Sequence, residues 1–568
     1  KEHFPRWARC ARMLMDSRTP AEPLLDEAPP PQPPRRVSSL SEIAESIFSH
    51  LPSPHRRRTR TSGAGASPKL GTLAVLAVVF FNVSGGPLGS EQLIAYGGPG
   101  FGLCALVGFA ALFSLPQALV TAELSSAFPD NGGYSLWVQA AFGDFWAVQE
   151  SYWSWFSGVV DSALYPLLLY TSATHLIGGL PLNSGAAEGG GGNATASLSL
   201  ASLGKGDFPD EARATLWSCL GDEAKSCGAE YLYRLVLLLA FTAPNCLSST
   251  LVGRGLVGLG LFVMSPYLAL VVAALPRARP ANFRLRPTKF KPAAMVSVAY
   301  WSLSGFDSVS AFAGEVEAPH RTLPRALLCG CLLMVVCYVL PLTAGVLADE
   351  EWAHWKDGSL THVAQLVGGR WLGGWVLASS TLSNWGLFSS ELLEDSFQLL
   401  GMAEAGLAPR FFAVRHPRLG TPLLAILFQL VILSALIGFD FESIMCIDNF
   451  FSAAAATLEF AAAVQLRRCR PAMSRPFRIP CGTAGVAALV ALPIVIALFI
   501  CVSTAMETRA TLTIIVVGLA FGLLLYLPLW LRSGAAEAEG PPSEEGGEQG
   551  AAGDSCAPRV NSPPRAIS

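Results

Sequence analysis

The chain has 568 residues, of which 51% are hydrophobic and only 14% charged, with a mean hydropathy of +0.43 and a formal net charge of −3. A soluble domain carries nearer a quarter charged residues, so this composition points to a polytopic membrane protein. The near-neutral charge argues against a nucleic-acid partner, and thirteen cysteines without a CxxC pair argue against a metal site.

Residues 1–66, with APPPQPPRR and HRRRTR, read as a disordered basic arm, and residues 533–568 as a disordered tail. Between them, over 68–532, long apolar runs predict twelve membrane-spanning helices. They cover 70–96, 98–125, 144–178, 230–249, 251–275, 293–317, 323–348, 370–396, 421–439, 442–465, 484–504 and 510–532. About 20 residues of helix cross a bilayer, and only helices satisfy their own backbone groups in lipid over such runs.

Loop charge sets the orientation. Arg56, Arg57, Arg58, Arg60 and Lys69 precede the first helix, Arg410, Arg415 and Arg418 follow the eighth, and Arg467, Arg468, Arg470, Arg475 and Arg478 follow the tenth. Positive-inside bias places these in the cytoplasm, with both termini, most simply at the plasma membrane. The loop 179–229 then lies outside, with a glycosylation sequon at Asn193 and a possible disulfide between Cys219 and Cys227. So does the acidic loop 349–358. The segment 277–291, RARPANFRLRPTKFK, breaks the pattern, being basic and yet falling outside.

Two helices carry glycine where a span should be continuous. The first reads FFNVSGGPLGSEQL over 80–93, with Ser84, Gly85 and Gly86 at its centre. The sixth reads YWSLSGFDSVSAFAGEVE over 300–317, with Ser304 and Gly305. Paired interruptions at matching positions of two halves point to an inverted-repeat transporter, whose unwound turns free backbone groups to hold a substrate near the bilayer midplane.

Carboxylates accompany the breaks: Glu91, Asp307 and, in the third helix, Asp161. An ionisable group at membrane depth costs at least ~2.5–3.5 kcal/mol on insertion scales and usually faces a cavity. Tyr165, Tyr300, Trp301, Phe80, Phe81 and Phe306 lie close by in sequence. Carboxylates with aromatic faces suit an organic cation. Proton coupling needs a carboxylate poised to exchange a proton, and Glu91 and then Asp161 are the candidates. Glu123, Glu150, Glu315 and Glu317 sit near expected cytoplasmic helix ends, where solvation or gating explains them. Neither a channel filter nor an enzyme motif (HExxH, nucleophile elbow, phosphate loop) is present.

The stretches GGPLGSEQ, TAELSSAFPDNGGYSLWVQAAFGDFWAVQESYWSWFSGVVDSALYP, DSVSAFAGEVEAPHRTLPRAL, DSFQLLGMAEAGLAPRFFA and RPFRIPCGTAG resemble the polyamine–proton symporters of plants and protists. These form part of the L-type branch of the amino acid–polyamine–organocation superfamily. The resemblance spans roughly residues 68–530. It implies an all-α LeuT-like fold, a five-helix unit repeated inverted with helices one and six unwound, plus two further helices. It also implies that Trp301 and Tyr165 touch substrate and that Asp307 holds an amine. Ser304-Gly305-Phe306 departs from the Asn-Tyr-Trp-like triplet more usual in that branch and is closer to the superfamily's amino acid carriers. The expected function is therefore proton-coupled polyamine import. Amino acid transport, using the N–H groups of Ser84 to Gly86 as an anion hole, is the alternative, and a non-transporting nutrient receptor a third reading.

Overall fold

A computed structural model describes residues 69–166, 224–284, 290–356, 358–437, 441–506 and 508–538. The expected terminal arm, the expected tail beyond residue 538, Asn193 and Cys219 lie outside the described residues; Cys227 falls in the first turn of a described helix, and residues 533–538, expected in the tail, continue the last helix. Within these residues the chain is helical, and one isolated parallel bridge joins Leu70 to Val316.

The first predicted span is two short helices, α1 (Thr72–Val83) and α2 (Glu91–Gly97), separated by an unwound turn. The reason is local. Gly85, Gly86 and Gly89 have φ of 61°, 140° and 92°, conformations that L side chains rarely adopt, and Pro87 has no N–H to continue a ladder. Helix α3 (Pro99–Ala127) follows, widening into a π-helical turn at Ala110–Ser114. The amphipathic α4 (Gly133–Phe142) was not expected from the sequence, being short and bounded by glycines. Helix α5 (Asp144–Ser162) begins the third span. Helices α6 (Ala224–Leu247) and α7 (Ser249–Ala274) are the fourth and fifth.

The sixth span is also split. Helix α8 (Pro292–Leu303) ends at an unwound Ser304–Asp307 turn, and a tight 3-10 segment, Ser308–Glu315, continues it. Then come α9 (Pro319–Ala348), α10 (Ser359–Glu404, kinked at Gly369), α11 (Leu423–Leu436), α12 (Phe441–Cys469), α13 (Thr483–Ala505) and α14 (Arg509–Ala538). Every predicted span has its helix or helix pair, and the two broken ones lie side by side: a Cβ on Gly305 would stand 3.1 Å from Asn82 O. This is the LeuT-like architecture, five helices repeated inverted and two more appended.

Side chains replace the lost ladder. Ser114 Oγ, in the π turn, donates to Leu303 O at 2.6 Å, and Tyr338 Oη donates to Ser302 O at 2.9 Å. Phe306 N donates to Gln117 Oε1 at 3.4 Å, and Ser383 Oγ donates to Gly85 O. Broken helices are tolerated at membrane depth only where neighbours restore such bonds.

Contacts sort the loops to two ends. At one, Glu123 of α3 accepts from Arg467 and from Ile479 N, and Arg415 pairs with Glu315 at 2.6 Å. At the other, Asn282 Nδ2 donates to Val346 O at 2.9 Å, Arg277 Nη1 donates to Leu366 O at 2.6 Å, and Gly358 N donates to Glu91 Oε1 at 3.1 Å. The described part of the anomalous basic segment, 277–284, thus packs at the end opposite the Arg467 cluster. Part of its charge is bound there, Arg277 on a carbonyl and Arg279 on Glu350.

Candidate functional site

The two breaks, the middle of α5, and the facing stretches of α10 and α12 enclose a cavity of about 130 Å³. Six carboxylates line it: Asp161, Asp307, Glu391, Glu394, Asp448 and Glu459. Among the described residues its lining contains no lysine, arginine or histidine.

The carboxylates fall into linked groups. Tyr165 Oη sits between Asp161 Oδ2 and Glu391 Oε1, 2.9 Å from the latter, and Ser162 Oγ donates to Glu391 Oε2 at 3.2 Å. Asp307, at the sixth-span break, and Glu459 on α12 face the same cavity and lie within electrostatic reach of each other. Acids gathered this closely are eased by a proton on one member or by a cation lodged between them. Ser157 Oγ donates to Asp448 Oδ1 at 2.5 Å. Glu394 accepts from Asn82 Nδ2 at 2.9 Å and from Tyr134 Oη at 3.1 Å, and so ties the end of α1 to α4 and α10.

Ser84, Asp161, Tyr165, Trp301, Gly305 and Asp307, all singled out in the sequence, line this cavity. Trp301 also lies over Gly89, where an added Cβ would meet its ring. Gly85, Gly86 and Glu91 do not line it. Glu91 lies elsewhere. It is fully buried, but its carboxylate accepts from Gly89 N at 2.7 Å and from Gly358 N at 3.1 Å, joining the start of α2 to the start of α10. A carboxylate at a helix start is stabilised by the exposed N–H groups there, and Glu91 serves that purpose.

The anion hole expected at Ser84 to Gly86 is also closed. Ser84 N and Gly85 N donate to Phe80 O, and Gly86 N donates to Ser84 Oγ at 3.1 Å. Of the remaining aromatics, Tyr300 lines the cavity, while Phe80, Phe81 and Phe306 are core residues.

Glu391 and Glu394 were missed. They stand near the expected end of the eighth helix, where charge reads as solvated. The available signal was spacing: in ELLED, positions 391, 394 and 395 share one helical face after a long charge-free run.

Glu123 and Glu315 belong elsewhere. Glu123 and Arg467 form a buried ion pair, joined by Arg475 at 3.2 Å. Asn131 Nδ2 donates to Glu315 Oε1 at 3.2 Å, beside Arg415.

A family model described as amino acid permease matches residues 70–521. A probable polyamine transporter of Arabidopsis thaliana is 35% identical over 82% of this chain and 88% of its own length. Polyamine transporter PUT1 of Oryza sativa subsp. japonica is 36% identical over 81% of this chain and 79% of its own. The branched-chain amino acid permease BcaP of Bacillus subtilis is 27% identical over 42% of this chain and 49% of its own.

Proposed function

The chain belongs to the amino acid permease family and is an integral membrane transporter, and from that premise we propose that it imports polyamines of the putrescine and spermidine class by proton symport. One observation carries the reading: six carboxylates around a single cavity with no cationic residue among the described residues of its lining. Ionised together and empty, they would repel one another in a poorly solvated space, so the site calls for protons or for a ligand with several ammonium groups. A polyamine supplies those groups along a flexible chain and brings no carboxylate. An amino acid would bring one, and the N–H groups at the first break that could receive it are already engaged.

The Asp161–Glu391 pair with Tyr165 would hold one ammonium group and the Asp307–Glu459 pair another, with Trp301 and Tyr300 offering ring faces to the cationic chain. Alternating access then exposes the site to each end in turn. The end bearing Arg415 and Arg467 faces the cytoplasm of a plasma-membrane carrier. A dication moving inward through 100 mV gains roughly twice ~2.3 kcal/mol, and proton symport adds to that drive.

Uptake of labelled putrescine, spermidine, arginine and leucine into cells expressing the chain, at two external pH values, tests this. Saturable polyamine uptake that rises at acid pH, with the amino acids at mock level, is expected. Arginine or leucine uptake without polyamine uptake would make it an amino acid carrier. All four at mock level would leave a receptor.

A further inference from the structure

Of the buried acids that belong neither to the cavity nor to the ion pairs at the two ends, Glu91, Asp349 and Asp395 accept hydrogen bonds of 2.7, 2.7 and 2.6 Å, and Glu150 stands apart from them. Glu150 lies on α5 and is 0% exposed. Going along the helix, Glu150, Ser154, Ser157 and Asp161 are four, three and four residues apart, so they share one face. The last three line the cavity and Glu150 does not. It continues the polar stripe about one turn below the cavity, toward the α5 start at Asp144.

Its bonding is incomplete. Ser151 Oγ reaches Oε2 only at 3.5 Å, and Oε1 has no hydrogen-bond partner among the described residues. The titratable groups within electrostatic reach are Asp307 of the sixth-span break, Glu459 of α12 and Tyr134 of α4. Helix α10, which also packs on α5, brings Glu391, Glu394 and Asp395, acids again. Helices α11 and α14 pack there too and bring no charged residue over 423–436 and 510–531. Among the described residues Glu150 therefore faces acids and a phenol, and Arg467 of α12, more than two turns beyond Glu459, is engaged with Glu123. An ionised carboxylate so placed is unpaired beside like charge, whereas the protonated acid is neutral.

Resting on the proton-driven reading above, we infer that Glu150 carries the coupling proton, on a site separate from the carboxylates that hold the substrate. The step is a simple exchange. The Glu150 carboxylate takes one proton from water reaching it when one end is open, and returns it to water at the other end, with no other bond changed. Symport follows when the carrier crosses only with Glu150 protonated and substrate bound, or with both absent. Substrate and proton then travel together without sharing one carboxylate.

The test uses the full chain in proteoliposomes, with spermidine as substrate and membrane potential clamped at zero. With the interior about two pH units more alkaline, one-to-one symport drives roughly hundred-fold accumulation, tenfold per unit. Wild type is expected to approach that. Glu150→Gln, an isostere of the neutral acid, is expected to equilibrate spermidine to a ratio near one, yet to retain spermidine–spermidine exchange within about two-fold of wild type. Accumulation by Glu150→Gln equal to wild type overturns the inference and leaves proton symport standing. A wild type that only equilibrates overturns proton symport itself, and the inference with it. If Glu150→Gln also loses exchange, Glu150→Asp decides: an accumulating variant with a displaced pH optimum upholds the assignment, and an unchanged optimum overturns it.

Discussion

Asn82 shows how one atom can mark the ligand's place. Its Nδ2 donates to Glu394, and a carboxylate acceptor fixes the amide orientation, since an oxygen there would face another oxygen. Oδ1 is then buried with no hydrogen-bond partner among the described residues, on a residue that lines the cavity. Such an acceptor suits a substrate ammonium group. Hydrogen bonds to charged groups contribute about 1.5–3 kcal/mol, so Asn82→Leu should raise the KM for spermidine roughly ten-fold or more, read from initial uptake rates. An unchanged KM would place the ligand elsewhere. At this scale the sequence was partly legible. Asp161 and Asp307 stood out because each interrupts an apolar run. Glu91 misled because a charge beside a break can cap a helix start as readily as face a cavity, and only the position of the α10 start distinguishes the two. Asn82 drew notice only as part of the sequon Asn82-Val83-Ser84, which its depth in the membrane discounts, since a neutral amide in a span does not mark a ligand site until its partner is known.

The helical elements explain which spans were easy to find. Five described helices are long and apolar enough to cross a membrane on those grounds alone, Thr483–Ala505 and Pro319–Ala348 among them. They work mostly through lipid contact and packing, with Tyr338 of α9 reaching the cavity and Ser114 and Gln117 of α3 holding the sixth-span break. The elements that build the site fail such a criterion because of what they do: α1, α2 and α8 are halves of broken spans, and α5, α10 and α12 carry carboxylates inward. The breaks were legible because glycine and proline leave a local mark. The reach of α10 was not, because the ELLED charges that seemed to end it lie in its interior. The first break yields a stability prediction. Gly85 has φ of 61°, and an added Cβ would lie 2.6 Å from Ser383 Oγ and 2.9 Å from Leu387 Cδ1. Gly85→Ala should cost about 1–3 kcal/mol through strain and crowding, seen as a lower melting temperature of purified protein. Gly71→Ala, with φ of −84° and open space around its Cβ, should melt like wild type.

Across the whole molecule, two ionic features share the end that loop charge assigns to the cytoplasm, and their positions give them different duties. The Glu123–Arg467 pair, 4% and 2% exposed, joins α3, α12 and the loop before α13, and Arg467 also donates to Ile479 O at 3.1 Å. None of these is a broken span. The Glu315–Arg415 pair is 14% and 33% exposed and ties the end of the sixth span to the loop after α10. That span is held again where Leu70 N donates to Glu315 O at 2.9 Å and Glu317 N to Leu70 O at 2.9 Å, linking the residues just before α1 to it. Both broken spans must loosen at this end for substrate to leave, so the second feature belongs to the moving part and the first to the frame. Glu123 faces both Arg467 and Arg475, so removing the acid leaves two buried cations without their partner, and breaking a buried pair costs about 3–5 kcal/mol. Glu123→Leu should therefore lower the melting temperature sharply, and adding Arg467→Met should restore part of the loss, while uptake per folded molecule stays near wild type. Glu315→Gln should behave in the opposite way. A partly exposed pair contributes only about 0–1 kcal/mol, so melting should barely move. Spermidine uptake per molecule should change, because the closed end is held less firmly. Melting curves set beside uptake normalised to membrane-inserted protein would show the division of labour. Parallel losses of stability and uptake in both variants would erase it.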